Sequence, residues 1–316
     1  MTSSDLTRTL DRIRNCTDPV FFVGTHKNSG KTTAFMRIAQ ALREETVPLI
    51  LCSIGRDGEA LDQFFGHRKP PVRVEPGWRF VTSGAATADV PCELISPLPA
   101  FVDGRQLGLF EARACGDVEL WGPPVAADLR RTLDACARFE LDGRRPVLLV
   151  DGALDRQAAL YHGPAGMILC CKAGAFPSPD AFGAWLAARR RLFLAPLHLG
   201  SLPTTRLTDG DDLPQSLTPD EVLVDGPLSQ TLAMDLLARG DSLVRIVVTS
   251  PMHVFVDHAT LDRLVPKLAL LSAPDWFATA INPAPNGGAA PDPGPTLAAA
   301  RRALGPDHPV FDVLMS

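Results

Sequence analysis

A glycine-rich segment near the start of the chain constrains its fold more than any other feature. Residues 24–33 read G-T-H-K-N-S-G-K-T-T, match the pattern G-x-x-x-x-G-K-[ST], and follow the apolar run 19–23. In this pattern the glycines let backbone N–H groups face phosphate oxygens, the lysine reaches the β- and γ-phosphates, and the next hydroxyl ligates Mg²⁺. We therefore expect a phosphate-binding loop between a β-strand and an α-helix.

The residues after the loop support this prediction. Phe35, Ile38 and Leu42 share one face of a helical pattern, as the strand–loop–helix setting requires. Lys31 is predicted to be catalytic and Thr32 to bind metal. A glycine-rich turn without function is the alternative. The loop residues predicted to bind a nucleotide are Gly24, Lys27, Asn28, Ser29, Gly30, Lys31, Thr32 and Thr33.

A carboxylate at the end of a second strand would complete such a site. Residues 147–151 read V-L-L-V-D, which predicts a buried strand that ends at Asp151 and is followed by Gly152. Phosphate-binding loops pair with an acid at this kind of position, which holds Mg²⁺ or positions water. We predict that Asp151 is catalytic and binds metal; the alternative is an aspartate that caps the next helix.

A polar turn after another predicted strand offers further candidates. Residues 53–59 read S-I-G-R-D-G-E and should lie at the carboxyl edge of the sheet, where open α/β sheets bind ligands. Asp57 and Glu59 are predicted catalytic residues that orient water or ligate Mg²⁺, and Arg56 would balance phosphate charge. The alternative, which the sequence supports equally, is a polar surface turn without function.

Composition limits the location and partners of the chain. Its 316 residues carry a formal net charge of −5, without a long basic stripe or 18 uninterrupted apolar residues, so we expect neither nucleic-acid binding nor a membrane span. The first eight residues lack the features of a secretory signal. Seven cysteines without C-x-x-C spacing suit a reducing compartment, and we expect a cytoplasmic protein.

Apolar β-type runs alternate with helical patterns from end to end, which predicts an α/β fold with a mainly parallel sheet flanked by helices. We expect one P-loop NTPase domain over residues 1–316. The predicted strands lie near 19–24, 48–53, 146–151, 166–171, 192–199, 244–250 and 276–282. The predicted helices lie near 4–15, 31–45, 124–140, 179–190, 229–238, 258–270 and 295–303.

A proline-rich stretch at about 68–122 interrupts this alternation and predicts a β-rich insertion. Gly116, between the short β-like pieces 107–114 and 117–121, suggests a hairpin there. The insertion would serve as a lid or partner surface, or it would add strands to the edge of the sheet.

Several segments together resemble a known family. They are V-G-T-H-K-N-S-G-K-T-T at 23–33, S-I-G-R-D-G-E at 53–59, V-E-L-W-G-P at 118–123, V-D-G-A-L-D-R at 150–156 and I-N-P at 281–283. With them the chain resembles the P-loop subunit of the ATPase that reactivates lysine 5,6-aminomutase and related adenosylcobalamin-dependent aminomutases. The resemblance implies ATP and Mg²⁺ as cofactors, and hydrolysis that lets damaged cobalamin leave an aminomutase. It also implies two partners, the aminomutase and a second reactivase subunit. An assembly of this kind would be an oligomer.

More distantly, the chain is similar to dethiobiotin synthetase-like P-loop proteins, in which an asparagine after a late strand reads adenine. Asn282 matches that position and is a predicted nucleotide-binding residue, with a plain Asn-Pro turn as the alternative. The absence of N-K-x-D favours ATP over GTP. Lys27 resembles the signature lysine of the deviant Walker A class, although it lies four rather than five residues before Lys31.

Two other functions share the same loop. One is an ATP-dependent small-molecule ligase or kinase of the dethiobiotin synthetase type, and the other is a module that senses a nucleotide without hydrolysing it. A phosphate-binding loop serves all three functions, so the sequence does not choose among them.

Overall fold

Strands and helices alternate along the chain in a mixed α/β structure. The structure is a computed structural model and describes residues 3–57, 72–87, 89–140, 143–152, 164–210, 221–240, 245–284 and 292–314; for residues 3, 56 and 57 it describes the backbone only. The helices are α1 (Ser3–Arg14), α2 (Lys31–Glu44), α3 (Ala126–Cys136), α4 (Pro179–Phe193), α5 (Gln230–Ala238), α6 (His258–Leu264) and α7 (Gly294–Leu304). None of these described helices is long and apolar enough to cross a bilayer.

The strands vary widely in length. They are β1 (Val20–Gly24), β2 (Leu49–Ser53), β3 (Gly55–Asp57), β4 (Val72–Val74), β5 (Arg79–Ser83), β6 (Cys92–Val102), β7 (Arg105–Ala112), β8 (Gly116–Val118), β9 (Leu120–Gly122), β10 (Val147–Asp151), β11 (Gly166–Lys172), β12 (Thr205–Leu207), β13 (Glu221–Val224), β14 (Leu228–Ser229), β15 (Arg245–Val248), β16 (Val254–Phe255), β17 (Leu268–Leu270), β18 (Asp275–Asn282) and β19 (Val310–Asp312).

Nine of these strands form the central sheet, in the order β19-β18-β11-β1-β10-β2-β5-β7-β6. The seven strands from β19 to β5 run parallel, and β7 and β6 are antiparallel to their neighbours. Parallel strands need crossover connections; α2 connects β1 to β2, α7 connects β18 to β19, and helices cover both faces of the sheet. The prediction of a mainly parallel sheet flanked by helices is confirmed.

The core lies on both faces of this sheet because successive strand residues point to opposite sides. Phe22 of β1 packs on one side with Phe35 of α2, whose ring lies 5.3 Å away in an edge-on arrangement. Phe21 packs on the other side in the cluster that holds Leu133 of α3 and Leu186 of α4. The helix α2 therefore covers one face of β1, and α3 and α4 cover the other face.

The protein core also contains thiols, three in central strands and one in α3. Four cysteines are buried: Cys52, Cys136, Cys170 and Cys171. Burial raises the pKa of each of these thiols above its ordinary value, because a thiolate is poorly solvated inside the protein. Cys115, by contrast, is exposed.

A second, four-stranded parallel sheet follows α4, in the order β12-β13-β15-β17. It has its own hydrophobic cluster, to which α5 and α6 contribute Leu236 and Leu264 and α4 contributes Leu192. The sequence did not predict this sheet: the strand expected near 244–250 exists as β15 but belongs to it. The helix expected over 258–270 ends at Leu264, before Pro266.

The strand predicted over 192–199 is wrong. The helix α4 continues to Phe193, and the apolar residues after it form only a single bridge, between Leu197 and Leu270. Pro196 interrupts this segment and removes a donor that a strand would need. An apolar run of this length is ambiguous between a helix end and a strand.

The insertion at 68–122 mainly extends the central sheet, which confirms the second of its two interpretations. The strands β5, β7 and β6 form the sheet edge, and β6 and β7 make a hairpin around Asp103 and Gly104. The predicted hairpin around Gly116 is wrong, because β8 pairs with β4 and β9 pairs with β3. The outermost strand contains Pro97 and Pro99, which edge strands tolerate and which discourage pairing with another chain.

The short pair β3 and β9 joins two segments that are far apart in sequence. Gly55 lies opposite Gly122, and the single Ser53 Oγ proton is shared between the carbonyl oxygens of Gly55 at 2.8 Å and Leu120 at 3.0 Å. A Cβ at Gly122 would lie 1.5 Å from the Ser53 carbonyl oxygen, a separation that no side chain can adopt. Only glycine therefore lets β9 approach β2 this closely.

Replacing this glycine tests the pairing. Gly122→Ala should lower the free energy of unfolding by about 1–3 kcal/mol, because the backbone of Ser53 cannot yield to the new Cβ. Gly84→Ala is the matched control, since its Cβ would meet nothing closer than Phe110 Cζ at 3.9 Å. Urea unfolding of both variants measures the effect, and equal midpoints would contradict the proposed clash.

Candidate functional site

The predicted phosphate-binding loop lies at the carboxyl edge of the central sheet. It connects β1, which pairs with β10 on one side and β11 on the other, to α2, which begins at Lys31. Gly30 has a φ of 83°, and Asn28 has a φ of 59°. Glycine and asparagine are the residues that most readily adopt this left-handed conformation, so the sequence suits the turn.

The loop folds back over the end of β1. A Cβ at Gly24 would lie 2.5 Å from Ser29 Oγ and 2.9 Å from Lys31 Cδ. The side chain of Lys31 thus extends over Gly24, which only a glycine permits. At Gly30 a Cβ would lie 2.9 Å from Val313 Cγ2, so the second glycine is also packed closely.

Asp151 and Thr32 meet beside the loop. Thr32 Oγ1 donates a hydrogen bond of 2.9 Å to Asp151 Oδ2, and Asp151 is fully buried. The parallel pairing that places Phe22 opposite Asp151 brings the end of β10 under the start of α2. The structure therefore joins the two residues that the sequence predicted as metal ligands, 119 positions apart.

Ser29 is the third polar group in this space. It is buried, and its Oγ neither donates nor accepts a hydrogen bond within the part of the chain that the structure describes. Lys27 and Asn28 are exposed at the tip of the loop, and Thr33 is half-buried in the first turn of α2. The loop thus presents two exposed residues outward and keeps one buried hydroxyl inside.

Lys172 is a site residue that the sequence reasoning missed. It ends β11, is 7% exposed, and lies opposite Asn282 of β18 at the same sheet edge. Its backbone N–H donates to Thr25 Oγ1 at 3.4 Å. The signal was present, because a lysine that ends the buried run G-M-I-L-C-C-K is unusual.

The charges at this edge act on their neighbours. Burial, and after it the positive charge of Lys172, holds the pKa of His26 below its ordinary value, so this imidazole is neutral at pH 7. Burial raises the pKa of Cys170, while Lys31 lowers it and Asp151 raises it. Lys172 thus acts electrostatically on the loop residue His26, and Lys31 and Asp151 act on Cys170 of the neighbouring strand β11.

Asn282 supports the loop from β18. Its Nδ2 donates to the Asn28 carbonyl oxygen at 2.9 Å, and its Oδ1 accepts from the backbone N–H of Ala284 at 3.0 Å. The asparagine thus fixes a carbonyl at the loop tip and also shapes the Asn-Pro turn. Both ends of its amide are engaged within the chain.

A cavity of about 370 Å³ lies on the β11 and β18 side of the loop. Its walls come from the segment after β11, the start of α4, Pro283 and the start of α7. Phe176 lines it and contacts the His26 ring at 5.7 Å between centroids, which connects the cavity to the loop. Thr296 and Asp292 add polar groups to this mainly apolar wall.

The structure describes only the backbone of Asp57 among the two other predicted catalytic residues. The backbone of Asp57 lies in β3, opposite Leu120, and its side chain is outside the description. Glu59 falls outside the described residues altogether. No cluster of three or more histidine, cysteine or acidic side chains that would suit a metal occurs among the residues that the structure describes.

No protein-family model matches the chain, and no curated protein or solved structure matches it either.

The role of Asn282 can be measured. If the loop binds nucleotides as the sequence predicts, Asn282→Ala should weaken the binding of ATP and of GTP by the same factor, about fivefold, because the lost hydrogen bond supports the loop and is worth about 1 kcal/mol. Calorimetric titration with each nucleotide checks this. A loss confined to ATP would instead show that the asparagine reads adenine.

Proposed function

We propose that the protein binds Mg·ATP at this loop and hydrolyses its γ-phosphate. The hydrogen bond between Thr32 Oγ1 and Asp151 Oδ2 is the observation that carries the proposal. A hydroxyl in the first turn after the loop and an aspartate at the end of the adjacent strand are the pair that holds Mg²⁺ in P-loop nucleotide hydrolases. Both oxygens are suitable ligands for this ion.

The residues present fit this role. The backbone N–H groups of the loop and the ammonium of Lys31 would bind the phosphates, and the buried Ser29 hydroxyl offers one further polar contact. Bound Mg²⁺ would neutralise negative charge on the phosphates. Lys172 and Lys31 would place two positive charges where the transition state gains negative charge, which lowers the barrier.

The cavity beside Phe176 is the proposed place for the nucleobase. Its apolar wall suits the faces of a planar ring, and Thr296 and Asp292 suit the polar edge. The absence of N-K-x-D continues to favour adenine over guanine.

We further propose that hydrolysis serves the reactivation of an adenosylcobalamin-dependent aminomutase, together with a second reactivase subunit. The motif resemblance is the reason for naming this client. The contacts offer a route from the site: the Ile54 N–H donates to the Asp151 carbonyl oxygen at 3.0 Å, and the next residues pair with β9. A nucleotide that alters this edge would thereby change the surface formed by β3 and β9, and only such a differential contact can move a partner.

The proposed chemistry predicts how three substitutions change the rate of hydrolysis. Lys31→Ala, Asp151→Asn and Thr32→Val should each lower the rate of phosphate release from Mg·ATP at least about a hundredfold, since each removes a group from the phosphate or the metal. Lys267→Ala is the control, because this lysine donates to the Gly240 carbonyl oxygen in the second sheet unit. A wild-type rate in Asp151→Asn would contradict the metal assignment.

The proposed client predicts stimulation. Adding a corrinoid-loaded aminomutase from the same source should raise the Lys31-dependent rate, and Gly122→Ala should reduce that stimulation while leaving basal hydrolysis in place. If the rate of ATP hydrolysis does not change with the aminomutase but rises strongly with one metabolite, the result would support a ligase or kinase. Nucleotide binding without turnover under every condition would support the sensing module.

A further inference from the structure

A second cavity, of about 300 Å³, opens at the opposite edge of the central sheet. It lies between the ends of α4 and α7, the start of β18 and α1, and its lining includes Arg12, Arg190 and His308. The strand β18 runs from Asp275 in this cavity to Asn282 at the phosphate-binding loop, a distance of about 23 Å at the usual rise per residue. The two cavities are therefore separate sites.

Two guanidinium groups in this cavity have no carboxylate partner among the described residues. Arg190 forms no ion pair or hydrogen bond through its side chain with any residue that the structure describes, and Arg12 donates only to carbonyl oxygens, those of Phe277 at 3.0 Å and Asp307 at 3.4 Å. The carboxylates of Asp275 and Asp307 line the same cavity, yet neither lies within ion-pair distance of these arginines. Each guanidinium has further N–H donors available to a ligand.

His308 lies beside these arginines. Burial, followed by the charges of Arg12, Arg190 and Arg8, lowers its pKa to about 4, against a smaller opposing effect of Asp5. The imidazole Nε2 shares a hydrogen bond of 3.0 Å with Thr279 Oγ1. At pH 7 this histidine is thus neutral, and the arginines supply the positive charge beside it.

Aromatic rings form another wall. Trp276 lies 5.0 Å from the His308 ring and 5.1 Å from the Phe193 ring between centroids, and both Trp276 and Phe193 line the cavity. Such a surface suits the face of a planar or apolar group. The charged and aromatic walls face one space. This arrangement suits a small molecule with a charged group at one end and an apolar ring at the other.

We propose that this cavity binds a small ligand that carries an oxyanion, a phosphate or a carboxylate, on an aromatic ring. Arg12 and Arg190 hold the oxyanion, and Trp276 and Phe193 pack against the ring. The site is independent of the phosphate-binding loop and of ATP. Arginines at the ends of α4 and α1 also complement the negative ends of those helices, which is the competing explanation of their position.

Three probes separate these explanations: phenyl phosphate, benzoate and inorganic phosphate, each titrated into the Lys31→Ala protein so that the loop contributes little. Imidazole NMR signals report on the cavity, with the His308 signal assigned through His308→Gln. Saturating phenyl phosphate should shift the His308 titration midpoint upward by about one pH unit, because a nearby negative charge favours the protonated ring. Inorganic phosphate should bind more weakly, since it lacks the ring.

The arginine variants decide the assignment. Arg190→Gln and Arg12→Gln should each weaken phenyl phosphate binding at least about tenfold. Arg263→Gln removes an exposed guanidinium in α6 and should leave binding unchanged. No saturable change at His308 with any probe, or equal affinity in the cavity variants and the control, would overturn the proposal and leave the arginines as helix-end charges. Whether benzoate or phenyl phosphate binds more tightly identifies the oxyanion, and ATP hydrolysis by the Arg190→Gln protein is unaffected in either case.

Discussion

The contact between Thr32 and Asp151 depends on how three elements are arranged. The strands β1 and β10 must be parallel neighbours, α2 must start directly after the loop, and both side chains must point to the face that α2 covers. Glycine at positions 24 and 30 allows the backbone turn that brings α2 over β10. Most of the central sheet can be understood as the support for this one buried contact, because its strands set the positions of β1 and β10.

The sequence predicted this part of the molecule well for a physical reason. The loop, the start of α2 and the strand before Asp151 are encoded by local patterns of glycine, apolar residues and charge, and these patterns mean the same thing in most contexts. The central strands are buried on both faces and appear as continuous apolar runs. The adjacency of β1 and β10, by contrast, was expected from the chemistry of the motif and not from the strands themselves.

The errors fall where structure is decided by distant contacts. Gly116 looked like a hairpin turn, yet β8 and β9 each pair with a strand earlier in the sequence. The second sheet is built largely from strands of three or four residues, too short to show a period. Lys172 was not predicted as a site residue, because its importance comes from the pairing of β11 with β1, which brings it beside His26. Pairing of this kind leaves little trace in local composition.

Four buried cysteines, three in the central sheet and Cys136 in α3, give this core a definite chemical character. The thiolate is the form that reacts with oxidants and alkylating agents, and burial keeps these thiols protonated as well as shielded. Although Cys170 and Cys171 are adjacent in sequence, they lie on opposite faces of β11, in different halves of the core. The three buried strand thiols and Cys136 of α3 are therefore protected from oxidants in the native fold, and Cys115 is the most exposed of the described cysteines.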